Sequence, residues 1–131
     1  MRYLLDSDWV IDALGGVPSA VEPIRRLAPS GIGVSIVTYG EVFHGAYGFP
    51  NPQEHLKSFR GFLSAFAVLG LDDPTMELFA QNRHRLQRQG NAIPDLDLLV
   101  SATALRHDLT LMTRNLRHFS RIPDLKLYQP S

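Results

Sequence analysis

Three carboxylates in this chain stand where carboxylates are costly. Asp6 closes the apolar run Tyr3-Leu4-Leu5, Glu41 is the only formally charged residue between Arg26 and Glu54, and Asp97 opens the run Leu98-Leu99-Val100. Ionised acids avoid such surroundings unless they are paired or bind a metal. Gathered in one place, three of them repel one another, so a fold that collects them demands a cation. Hard oxygen ligands of this kind favour Mg²⁺ or Mn²⁺. Asp95 and Asn115 are further candidates for the same site, and Arg114 and Arg117 beside Asn115 could hold phosphates. Asp8 reads as a helix cap or first-turn acid, with a metal role as the minor alternative. Asp95 or Asp97 reads as the cap of its helix. His44 and His55 lack zinc spacing, His118 reads as a surface residue, and Trp9 reads as core.

The elements that must position these residues follow from apolar pattern and punctuation. Residues 2–5 read as a short buried strand, and Ser7-Asp8 starts a helix that Gly15-Gly16 ends. A second helix over 18–28 breaks at Pro29-Ser30-Gly31, and residues 32–36 form a second buried strand. A helix over 37–47 carries Glu41. Across 53–66, Leu56, Phe59, Phe62, Leu63 and Phe66 recur at helical steps, more in the manner of core than of interface, although the stripe is wide enough to bury a partner in part. Residues 67–71 are a third strand, Asp72-Asp73-Pro74 starts a helix reaching about Gln89, and 95–107 is another helix. A fourth strand at 109–113, a short turn or helix at 115–119 and a last strand at 125–128 complete the chain.

Short apolar strands alternating with helices argue an α/β fold with a mainly parallel sheet of four to five strands. Such sheets bind ligands outside the carboxyl ends of their strands. Asp6 ends the first strand, Glu41 follows the second, Asn115 follows the fourth, and Asp97 starts a helix on the same side. Topology alone therefore brings the polar outliers to one edge.

Bulk properties narrow the function. The 131 residues suit one domain, 1–131, burying roughly two-thirds of its unfolded surface. The absence of cysteine excludes disulfides, thiolate catalysis and cysteine-based zinc sites. Formal net charge is zero, yet the basic residues are almost all Arg, the better partner for phosphate. The apolar run before Asp6 is too short for a signal peptide, and no stretch approaches the roughly 18 apolar residues of a membrane span. No membrane association and a cytoplasmic location are the expectation.

Four segments in order resemble a PIN domain, and specifically the VapC-type toxins of toxin–antitoxin pairs. They are Leu4-Leu5-Asp6-Ser7-Asp8, Ser35 to Gly45 with Glu41 at its centre, Ile93-Pro94-Asp95-Leu96-Asp97-Leu98-Leu99, and Thr113-Arg114-Asn115 followed by His118-Phe119 and Arg121-Ile122-Pro123. Ser7 stands where the family usually has Thr. The resemblance spans nearly the whole chain. It implies a metal-dependent ribonuclease with Asp6, Glu41 and Asp97 as Mg²⁺ or Mn²⁺ ligands, a homodimer, and a VapB-type antitoxin partner. Asn115 falls at a fourth position that holds Asp in many relatives. Asn adds no negative charge, and Asp95 could replace part of it. Two other readings remain. One is a catalytically silent PIN-like module that binds RNA or a partner. The other is a haloacid-dehalogenase-like phosphatase, suggested by Asp6 and Asp8 but opposed by Val10, where that motif expects Thr, and by the lack of Lys between Lys57 and Lys126.

Overall fold

The computed structural model describes residues 1–130. Strand β1 (Tyr3–Leu5) leads into helices α1 (Ser7–Leu14) and α2 (Pro18–Leu27), then β2 (Ile32–Ser35) and α3 (Ile36–Ala46). Helix α4 (Pro52–Leu63), β3 (Ala67–Leu69), α5 (Asp73–Arg88) and α6 (Asp95–Arg106) follow. The chain then forms β4 (Thr110–Met112), α7 (Leu116–Phe119) and β5 (Lys126–Leu127). All strand pairs are parallel, in the order β3-β2-β1-β4-β5.

Side-chain alternation along β1 builds two core layers at once. Leu5 packs with Trp9, Val10, Ile24, Val34, Val42 and Leu63 from α1 to α4. Leu4 points to the other face and packs with Val100, Ala104, Leu111 and Phe119 from the α6–α7 side. A smaller cluster of Leu86, Ile93, Leu98 and Ile122 binds α5 to the outside of α6. Gly31 serves the entry to β2: its φ is +89°, its carbonyl accepts from the N–H groups of Arg2 and Tyr3, and a Cβ there would lie 2.7 Å from Met1 Cα. Any side chain at Gly31 is therefore both strained and blocked.

The chain winds outward from β1 through β2 and β3, then returns to the opposite side of β1 for β4 and β5. The winding reverses between β1 and β4, and such reversals open a crevice at the carboxyl ends of the strands. The pairing Leu5↔Met112 and Leu5↔Val34 puts Asp6, Thr113 and Ser35 level with one another at that edge.

The α/β architecture agrees with the sequence reading, and three details differ. The third strand, read over 67–71, stops at Leu69 and lies at the sheet edge, with Val68 half exposed, because among the described residues it pairs with β2 alone. Helix α4 ends at Leu63, three residues before Phe66, where Ser64 closes its last turn onto the Arg60 carbonyl. Helix α6 has Pro94 at its N-cap, so neither Asp95 nor Asp97 caps it; they occupy its first turn, where the helix dipole favours acids. Among the described residues, no helix is long and apolar enough to cross a membrane.

Candidate active site

Asp6 is the floor of the crevice. It is 5% exposed, its Oδ1 accepts from the Ser7 N–H at 2.9 Å, and its Oδ2 accepts from the Thr113 hydroxyl at 2.8 Å. The Asp6 N–H donates to the Met112 carbonyl, so the β1–β4 pairing itself sets the residue's position. Thr113 is held in turn, its hydroxyl oxygen accepting from the Asn115 N–H at 3.0 Å. Burial, followed by the charges of Asp8 and, more weakly, Glu41, pushes the Asp6 carboxyl from 3.8 up to about 7, against the hydrogen bonds from Thr113 and Ser7.

Helix α3 brings Glu41 to the same edge. Ser35 caps that helix, its hydroxyl accepting from the Val37 N–H at 3.1 Å, so the last residue of β2 fixes the helix that carries the acid. Glu41 Oε1 is buried without a hydrogen-bond partner. Burial raises its pKa, the Asp97 charge raises it further, and the nearby Ser7 hydroxyl offsets part of the rise. A cleft of about 500 Å³ opens beside it, lined by Ser7, Ile11, Ile36, Gly40, His44 and Leu96.

Helix α6 supplies Asp97, whose side chain is 16% exposed. Its Oδ2 lies 2.7 Å from His118 Nδ1 and 3.5 Å from Asn115 Nδ2. Asp8 completes the rim: its Oδ1 accepts from the Trp9 N–H and its Oδ2 from the Arg114 N–H, both at 2.8 Å. Burial raises its pKa, opposed by those two N–H groups. The reading of Asp8 as a first-turn acid matches its place in α1.

Asp6, Glu41, Asp97 and Asn115 thus share one edge, and two residues expected with them do not join. Asp95 turns outward and pairs with Arg83 Nε at 2.9 Å, with more than half of its side chain exposed. Two residues along a helix are roughly 200° of rotation, so Asp95 and Asp97 face nearly opposite ways. Arg114 is not free to bind phosphate. Its guanidinium stacks 4.3 Å over the Trp9 ring and reaches Asp12 at 3.3 Å and Ser19 at 3.2 Å. It locks the loop after β4 onto α1 and α2. Arg117 is exposed. His118, expected at the surface, is half-buried against Asp97. Thr113 and His118 received no site role from the sequence, although both lie within the segment from Thr113 to Pro123.

The donors suit a hard divalent cation. They are carboxylates, among the described residues no Arg or Lys pairs with Asp6, Glu41 or Asp97, and one buried oxygen of Glu41 is unpartnered. Among the described residues, no three His, Cys, Asp or Glu side chains lie close enough to form a ready ligand shell. Mg²⁺ does not require one, since it keeps several waters and takes one or two carboxylates.

The family model of the PIN domain matches residues 3–125. The chain belongs to the PIN domain family. It is 28% identical over 127 residues to the tRNA(fMet)-specific endonuclease VapC of Salmonella typhimurium, covering 97% of this chain and 96% of that protein. Ribonuclease VapC1 of Haemophilus influenzae is 27% identical over 128 residues, with 96% of each chain covered. Among solved structures, VapBC2 from Rickettsia felis, bound to a DNA fragment from its promoter, superposes with a TM-score of 0.91 at 25% identity over 100% of both chains. The DNA-bound VapBC of Salmonella typhimurium gives 0.89 at 27% identity, covering 98% of this chain and 97% of that one. Membership of the PIN family sets aside the haloacid-dehalogenase reading of Asp6 and Asp8.

Proposed function

We propose that this PIN domain is the ribonuclease toxin of a VapBC-type toxin–antitoxin pair, hydrolysing RNA phosphodiester bonds at a Mg²⁺ or Mn²⁺ site made by Asp6, Glu41 and Asp97. The observation that carries this reading is the gathering of three acids, one with an unpartnered buried oxygen, at the winding reversal of a chain that matches VapC ribonucleases end to end.

A bound divalent ion would lower the pKa of an attacking water and stabilise charge on the phosphate and leaving oxygens. The chain's own residues do the rest. Asp6, fixed by Thr113 and the Ser7 N–H, presents a carboxylate whose direction is set before any ligand arrives. Glu41 and Asp97 face the crevice from the two flanking helices. Asn115 adds polarity without charge, which limits the acidic set to these three and Asp8. Arg117 is exposed on α7, beside His118, and could pair with the RNA backbone. The catalytically silent alternative leaves the cost of these buried acids without a return.

The antitoxin reading has its own surface. Ile11, Leu14, Val42, Phe49 and Phe59 line an apolar groove of about 480 Å³ between α1, α3 and α4. An amphipathic helix of a VapB-type antitoxin would lay its apolar face there. Action on RNA, restrained by such a partner, belongs in the cytoplasm.

The test is cleavage by the purified protein, free of antitoxin, of an RNA pool that includes initiator tRNA, the substrate named for the Salmonella relative. Cleavage is expected with Mg²⁺ or Mn²⁺ and absent with EDTA and in Asp6→Asn. Undiminished cleavage in EDTA, or by Asp6→Asn, would refute the metal site.

A further inference from the structure

We propose that His118 is a positioning residue: its Nδ1–H holds one oxygen of Asp97 so that the other is turned toward the cation. The proposal rests on the function proposed above and goes beyond it, since His118 sits on α7, an element that contributes no acid to the site.

The geometry is specific. His118 Nδ1 lies 2.7 Å from Asp97 Oδ2. A carboxylate offers only acceptors, so that contact makes Nδ1 the nitrogen that carries hydrogen. The Asn115 amide lies 2.7 Å from the same Nδ1; with its oxygen turned toward the N–H it shares that one hydrogen with Asp97, and its nitrogen then no longer faces the carboxylate. His118 is thereby gripped from two sides, by α6 and by the start of α7. Its neighbour Phe119 is fully buried in the core, which anchors the short helix and fixes where the imidazole stands. Among the described residues, His118 is the one side chain in short hydrogen-bond contact with Asp97. Without His118, the nearest side-chain donor left to the carboxylate would be the Asn115 amide turned back to face it, whose 3.5 Å approach is too long to direct it.

Groups that orient a metal-binding side chain typically contribute 10–100-fold in metal affinity or activity. His118→Ala is therefore expected to weaken Mn²⁺ binding by about 10–100-fold. His118→Asn places an N–H near the position of Nδ1 and is expected to restore most of that affinity. The experiment is calorimetric titration of Mn²⁺ into the wild-type protein, His118→Ala, His118→Asn and Asp97→Asn, with thermal melts confirming that each is folded. RNA cleavage across a Mn²⁺ series runs alongside. The expected pattern is loss in Asp97→Asn, weakening in His118→Ala and recovery in His118→Asn, with cleavage by His118→Ala returning at high Mn²⁺. Wild-type affinity in His118→Ala, or no recovery in His118→Asn, would overturn the positioning role while leaving the metal site standing. Wild-type affinity in Asp97→Asn would instead remove the metal site on which the role depends.

Discussion

Asp6→Asn should make the metal-free protein more stable relative to wild type as pH rises, even as it removes activity. The Asp6 carboxyl stands at about 7 in the folded chain against 3.8 for the ordinary group. A raised carboxylate pKa means that the folded state holds its proton more tightly than the unfolded state. The stability that Asp6 contributes is then greatest below about pH 4 and is lost as pH climbs through about 7. A rise of about three in pKa, at ~1.4 kcal/mol for each, sets an upper limit of about 4 kcal/mol. The limit applies in nearly full measure, because Asp6 is 5% exposed and solvent screens it little.

Asparagine is neutral throughout and can still accept from the Thr113 hydroxyl or the Ser7 N–H through its amide oxygen. Glu41 and Asp8 also have raised pKa values, and they are present in both proteins, so the difference between the two isolates Asp6 and its couplings. The measurement is urea unfolding of both proteins at pH 4 and pH 8 in chelated buffer. Between those values the variant's stability relative to wild type should improve by up to about 4 kcal/mol. Near the melting temperature, each kcal/mol corresponds to roughly 4 °C for a domain of this size. Millimolar Mg²⁺ at pH 8 should then raise wild type and leave the variant unmoved, since a ligand of the native state stabilises by mass action. A difference between the two proteins that stays within about 0.5 kcal/mol across the pH range, the spread of a neutral surface change, would mean that Asp6 is not held in a charge-hostile site.

Asp97→Asn should lower RNA cleavage by about 100-fold or more while circular dichroism and melting stay near wild type; cleavage within a few-fold of wild type would remove Asp97 from the site. Arg114→Ala should cost about 1 kcal/mol of stability through the lost stacking on Trp9, with the salt dependence of RNA binding unchanged. Arg117→Ala should do the reverse, leaving stability alone and reducing the salt slope of RNA binding by about one. Ile11, half exposed in the apolar groove, can be changed without emptying the core. Ile11→Glu should abolish co-purification with a VapB-type antitoxin at unaltered melting temperature, and retained capture would move the antitoxin surface elsewhere.

What the sequence disclosed depended on the length over which a pattern could repeat. The strands were legible as apolar runs bounded by turn residues, α4 as a periodic stretch long enough to establish a face, and α5 from its Asp72-Asp73-Pro74 start. Asp6 and Glu41 were legible because each is an isolated charge beside apolar neighbours, and such an exception needs no periodicity to be seen. The edge position of β3 was not legible. Ala67-Val68-Leu69 is as apolar as β2, and only the strand order reveals that its outer side has no neighbour.

Asp95 and Asp97 mark the limit more sharply. Both lie in one helical turn, both suit the positive end of the dipole, and the residues that decide between them are Arg83 on α5 and Asn115 and His118 near α7. None of the three is local in sequence. The same holds for His118: Asn115 and His118 become neighbours only if residues 116–119 wind into a helix, and that helix is four residues long. Backbone alternation past β4 carries one further signal. An extended chain sends successive side chains to opposite sides, so continuing past β4 from Thr113 turns Thr113 toward Asp6 and Arg114 away from it, onto Trp9. Alternation alone therefore separated the hydroxyl that serves the site from the arginine that braces it. Arg114 looked like a phosphate ligand only when its place in the sequence was weighed without the direction of its side chain.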